Sequence, residues 1–186
     1  MSYEKYRVEK IDINGQEVME QVLYLLKQND LTLDLSLEQI IGVFDSDKLI
    51  ATGGVKSNTF RCIAVDQSYQ GGKVLNLLMS ELINIQYRRG IDDMFLFTKP
   101  TSQRSFEFLG FYVVEEIDNH VVLMENRPDG LRNYLNTLSR TNANGEVISA
   151  IVMNGNPFTM GHRYLIERAS KESDHLHIFV FFLQNL

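Results

Sequence analysis

Thr159, Gly161 and His162 are the residues whose types and spacing most directly suggest chemistry. They close the run Asn154-Gly155-Asn156-Pro157-Phe158-Thr159-Met160-Gly161-His162. An apolar strand, Val147 to Met153, is expected before the turn and a helix, Gly161 to Lys171, after it. That placement suits an anion, because the first N–H groups of a helix lack partners within it and point outward. Gly161 would let a phosphate-bearing ligand approach the backbone closely, and a ring N–H of His162 could donate to a phosphate oxygen. The bland alternative, His162 as an ordinary first-turn residue, stays open.

A second constellation is Gln70-Gly71-Gly72-Lys73, between an expected strand (Phe60 to Val65) and a long expected helix (Gly72 to Arg89). Backbone amides at such a turn can wrap a pyrophosphate, and Lys73 could add positive charge. A plain turn before a helix would read the same. His175 and His177 could face one metal ion, but no third ligand is in sight and no metal site is expected. Cys62 sits in an apolar strand and reads as a small buried residue. Tyr69, Tyr112 and Met94 to Phe97 read as core or domain seam, and Glu115-Glu116 as a solvated strand end. Glu4, Lys5, Glu9 and Lys10 read as a mixed surface face.

The elements that must position these residues follow from periodicity and punctuation. Val18, Val22, Leu25 and Leu26 predict a helix over Glu17 to Gln28. Ser36, with Gln39 three residues on, predicts a helix start. Strands are expected at Ile41–Phe44, Leu49–Lys56 and Phe60–Val65, with hairpin turns at Asp45-Ser-Asp47 and Ser57-Asn58. In the long helix Val74, Leu78, Leu82 and Ile85 form one stripe, and Gly90 is placed to end it. A strand (Met94–Thr98), a short helix (Ser102–Leu109) and two strands (Phe111–Glu116, His120–Glu125) follow. The order predicts an α+β domain around one mixed sheet with flanking helices over residues 1–126. Residues 127–146 read as a linker with a short helix, ending in the polar run Thr141-Asn-Ala-Asn-Gly145. Residues 147–186 read as a strand–helix–strand (βαβ) unit whose last strand, Leu176 to Leu183, suits a parallel sheet.

Composition bounds the function. The chain has 186 residues, 44% hydrophobic and 23% charged, enough apolar content for a packed core. A net charge of −6 argues against non-specific nucleic-acid binding. One cysteine excludes a disulfide framework, and no segment is apolar for long enough to span a membrane, so a cytoplasmic protein is expected.

Two resemblances bear on activity. Val65 to Leu75, with Leu109-Gly110-Phe111, resembles the GNAT acyltransferases and implies a coenzyme A-like group held at Gln70, Gly71, Gly72 and Lys73. Lys73 and Leu75 stand where that pattern has small residues. Phe106 stands where many members have a tyrosine general acid, and a phenyl ring cannot protonate a leaving thiolate. The stretch Ala150 to Leu165 resembles the T/HxGH nucleotidyltransferase site, a Rossmann-like α/β fold. Together with Val122 to Arg127, Asp129-Gly130 and Tyr134-Leu135, it makes nearly the whole chain resemble the citrate lyase ligase family. That resemblance implies ATP with Mg2+, acetate, and the coenzyme A-like thiol of the citrate lyase acyl carrier subunit as substrates. It implies that Thr159 and His162 bind phosphate oxygens, that Gly161 leaves room for the nucleotide, and that Asn154, Gly155, Asn156, Pro157 and Phe158 shape the site.

The family continues beyond the point corresponding to Leu186, so a truncated ligase unable to adenylate alone is expected, the nucleotidyltransferase fold being incomplete. Two other classes remain: a GNAT N-acyltransferase using acetyl-coenzyme A, and a non-catalytic module that docks the acyl carrier.

Overall fold

The computed structural model describes residues 6–138 and 145–181. Thr141 to Asn144 of the expected linker turn, Arg140, and the expected continuation of the last strand to Leu183 lie outside the described residues, as do Glu4 and Lys5. Contacts divide the chain into two compact units, one ending at Asn133 and the other starting at Tyr134.

The first unit is built on a seven-stranded sheet in the order β1-β2-β3-β4-β5-β7-β6. The strands are β1 (Arg7–Lys10), β2 (Gln39–Asp45), β3 (Lys48–Lys56), β4 (Thr59–Val65), β5 (Phe95–Thr98), β6 (Tyr112–Ile117) and β7 (Val121–Glu125). Every neighbouring pair is antiparallel except β4 and β5, which run parallel and pair only at Thr59–Phe95 and Phe60–Leu96. Helices α1 (Gln16–Gln28), α2 (Val74–Arg88) and α3 (Gln103–Glu107) complete the unit.

Strand β2 is apolar from Ile40 to Phe44, where both its faces are covered. Ile40 and Phe44 join Val22, Leu25 and Leu26 of α1, while Ile41 and Val43 join Val74, Leu78, Leu82 and Ile85 of α2. The predicted stripe of α2 is thus the buried one. At its far end Gln86, fully buried, donates to the carbonyl of Ser57 at 2.7 Å, which fastens the helix to the β3–β4 turn.

The expected helix start at Ser36 is not formed. Asp34 takes the Ser36 N–H and hydroxyl at 2.8 and 2.6 Å, closing a local turn, and β2 begins at Gln39 instead. Strand β1 was not anticipated. Its Arg7 and Glu9 face solvent and pair with each other, so it carries no apolar alternation. Met94 and Leu96 are core residues as expected, whereas Phe97 and Tyr112 are exposed. Glu115 and Glu116 are exposed on the edge strand β6.

Helix α4 (Gly130–Leu138) follows β7, and its entry is fixed by a buried carboxylate. Glu125 accepts from the N–H of Leu131 at 2.8 Å, satisfying one of the first-turn donors. Arg127 holds Asp92 and Asp93 at 2.7 and 2.9 Å, tying the same segment to the loop before β5.

The second unit contains β8 (Ile148–Asn154), α5 (Met160–Glu172) and β9 (His175–Phe181). Strands β8 and β9 are parallel and paired along their whole length, the expected strand–helix–strand arrangement. Asp174 accepts from the N–H groups of Glu146 and Val147, both at 3.0 Å, which pins the entry to β8 against the end of the crossover.

Candidate functional site

The turn from β8 into α5 is organised by its own side chains. Asn154 Oδ1 accepts from the N–H of Asn156 at 3.2 Å, drawing the chain round at the end of the strand. The Asn156–Pro157 peptide is cis. Thr159 is the N-cap of α5, in extended conformation, and its hydroxyl accepts from His162 N at 3.4 Å. His162 answers it: Nδ1 lies 3.0 Å from Thr159 N and 2.9 Å from Thr159 Oγ1. This is a capping box with histidine in the place usually filled by Glu or Gln. Phe158 flanks the imidazole, with ring centroids 5.6 Å apart and planes inclined at 31°.

The box fixes the chemistry of the ring. A backbone N–H can only donate, so Nδ1 offers its lone pair and the neutral ring carries its proton on Nε2. His162 is therefore placed to donate a hydrogen bond from Nε2. Gly161 is exposed, and a Cβ there would meet nothing nearer than Thr159 Oγ1 at 3.6 Å. Folding alone does not require a glycine at this position. Asn154, Asn156, Pro157, Phe158 and Thr159 are also exposed, and Gly155 is half-buried. The structure thus brings the predicted residues into one surface turn at a helix start.

The second candidate lies where β4 feeds α2. Asp66 caps a single 3-10 turn, Gln67–Tyr69, by accepting from Ser68 N at 2.9 Å. Gly71 then takes φ +73°, a conformation open to glycine with little strain. Lys73 is the N-cap residue of α2 and no side chain caps that helix, unlike α5. Gln70 donates from its side chain to the carbonyl of Val65 at 3.2 Å, bracing the turn rather than reaching outward. Gln70, Gly71, Gly72 and Lys73 are exposed or nearly so.

A brace not foreseen from the sequence is Tyr69. Its hydroxyl donates to Asp45 Oδ2 at 2.9 Å, and Lys48, paired with Asp66 at 2.7 Å, lies over its ring at 5.6 Å. The contact links the turn before α2 to the β2–β3 hairpin, which only the folded sheet brings near. The ion pair with Lys48 holds the Asp66 carboxyl below its usual range.

Leu75 packs against the core beneath α2. Phe106 is buried, edge-on to Phe111 at 6.4 Å, with Phe111 in turn against Phe60 at 6.1 Å. It is a core residue with no proton to give. Cys62 is half-buried at a strand irregularity with φ +55°, and its Sγ accepts from Asp34 N at 3.3 Å. Burial pushes its thiol pKa up, away from thiolate reactivity. His175 and His177 have ring centroids 4.6 Å apart with planes inclined at 58°, and among the described residues no group of three or more His, Cys, Asp or Glu could hold a metal ion.

The comparisons with known proteins bear on fold and on family separately. Solved structures similar to this chain include an acetyltransferase from Streptococcus agalactiae, with TM-score 0.56 and 11% identity, covering 66% of this chain and 98% of that one. An acyl-CoA N-acyltransferase from Pseudomonas aeruginosa gives TM-score 0.51 and 13% identity, over 66% of this chain and 98% of that one. At such identities the likeness establishes the fold, that of the GNAT acetyltransferases. A family model described as the citrate lyase ligase C-terminal domain matches residues 148–185. The [citrate [pro-3S]-lyase] ligase of Escherichia coli K12 is 38% identical over 162 residues, 87% of this chain and 46% of that protein. That of Haemophilus influenzae is 38% identical over 156 residues, 83% of this chain and 47% of its own. The chain therefore spans about half the length of the curated relatives it matches. Its curated homologues are enzymes, and by sequence the chain is a relative of the citrate lyase ligases along most of its own length.

Proposed function

We propose that the chain carries two binding elements of an ATP-dependent acid–thiol ligase that acetylates the coenzyme A-like group of the citrate lyase acyl carrier. The carrying observation is the Thr159–His162 box, which presents an Nε2–H donor at the open first turn of α5. In the reaction an acetate oxygen attacks the α-phosphorus of Mg-ATP and pyrophosphate leaves. The carrier thiol then attacks the acetyl carbon, AMP leaves, and the thiol proton passes to solvent. His162 and the first N–H groups of α5 stabilise charge on the phosphate oxygens as it grows. Mg2+ arrives with ATP as part of the substrate. Gln70 to Lys73 form the cradle for the diphosphate of the coenzyme A-like arm. The reaction uses reactants of the reducing cytoplasm, and no described helix is long and apolar enough to cross a membrane.

Calorimetric titration with ATP tests the phosphate-binding element. ATP affinity that disappears in His162→Ala supports the assignment, and ATP affinity unchanged in His162→Ala rejects it. The N-acyltransferase alternative finds its support in the fold of the first unit, but the buried Phe106 leaves that position without an acid.

A further inference from the structure

We infer that Thr159 is a positioning residue for His162 rather than a phosphate ligand in its own right. The inference rests on the phosphate site proposed above and reassigns one of its members. An anion is bound by donors, and the threonine side chain has a single O–H. Two polar atoms of the box lie beside Oγ1. One, His162 N, is itself a donor at 3.4 Å and occupies a lone pair of the hydroxyl. The other, His162 Nδ1 at 2.9 Å, already accepts from Thr159 N at 3.0 Å and is therefore an acceptor. The hydroxyl proton goes to Nδ1, so Thr159 has no donor left for a phosphate.

What Thr159 contributes is the state of the ring. Two donors converging on Nδ1 exclude the tautomer with a proton there, which leaves Nε2–H, on the far side of the imidazole, as the donor. Phe158 at 5.6 Å restricts the same ring from one side. The residue type at the third helical position then makes sense. A glutamate would close the same box but would have no proton to offer, whereas histidine accepts with one nitrogen and donates with the other.

The test is a double-mutant cycle on ATP affinity, by calorimetry, with Thr159→Val, His162→Ala and the double variant. Thr159→Val is expected to weaken ATP binding by at least about tenfold, Thr159→Ser to retain it, and Thr159→Val to cost nothing further once His162 is alanine. Equal losses in both backgrounds would show direct phosphate contact and overturn the inference. Long-range proton–nitrogen NMR of the histidine rings at alkaline pH gives a second readout. The Nε2–H form should dominate in the wild type and Thr159→Ser, and the Nδ1–H form should gain population in Thr159→Val. An unchanged tautomer in Thr159→Val would also count against the inference. If wild-type protein failed to bind ATP, the phosphate reading would fall, and the tautomer measurement would still decide whether Thr159 controls the ring.

Discussion

Two glycines in the second unit show what a single residue position demands, and they demand different things. Gly161 has space around it, so an alanine fits the fold. Alanine is also favoured over glycine within a helix by up to about 1 kcal/mol. Gly161→Ala is therefore expected to leave melting temperature unchanged or raised while weakening ATP binding, as thermal denaturation and calorimetry would show. Loss of stability with intact ATP affinity would instead make the glycine structural. Gly145 is the opposite case. A Cβ there would sit 2.3 Å from Cβ of Asp174, the residue that clasps the start of β8. Gly145→Ala should lower the stability of the second unit, read as an earlier or broader melting transition. The turn that holds Gly161 was legible in the sequence because strand, turn and helix lie next to one another in the chain. Gly145 read only as a turn residue, because the atom that excludes a side chain arrives from the far end of the crossover.

At the scale of elements, the same limit explains the failed helix at Ser36. A serine followed three residues later by glutamine has the form of a capping box, but Asp34, two residues earlier, competes for the serine and wins. Asp34 then reaches Arg61 on β4 at 2.6 Å, so one carboxylate both ends the local turn and anchors the loop to the sheet. The Ser36 hydroxyl, followed by Arg61, holds the Asp34 carboxyl down at about 2. Its folded value lies below the ordinary unfolded value of about 3.9. Its contribution to stability is therefore fully present above that unfolded value and is lost as pH falls toward 2. The melting temperature of the wild type should drop through this window, and Asp34→Asn should start lower at neutral pH with a shallower acid slope. An unaltered slope in Asp34→Asn would assign the acid sensitivity to other carboxylates such as Glu38 and Asp66. Helix α2 was legible for the converse reason. Its stripe is set by spacing within one segment, and Val74, Leu78, Leu82 and Ile85 are all buried on it.

Across the whole chain, each unit carries its own turn into a helix, and the two turns are built differently. The start of α5 is capped by Thr159 and supplies a side-chain donor, whereas α2 starts without a side-chain cap, after a turn braced by Tyr69 and Gln70. Under the proposed function the two turns take separate ligands. A Gln70→Ala/Lys73→Ala variant is expected to lose dephospho-coenzyme A binding while keeping ATP affinity, and His162→Ala should do the reverse. Calorimetric titration of each variant with each ligand, after circular dichroism has confirmed folding, decides the matter. Loss of both ligands in either variant would mean that one site depends on the other. Unchanged dephospho-coenzyme A binding in the double variant would remove Gln70 and Lys73 from any cradle, leaving Gly71 and Gly72 as a plain turn into α2. The open pairing of β4 and β5 beyond Phe60 and Leu96 favours the cradle, because the parting of the two strands is on the side toward which β4 runs into that turn.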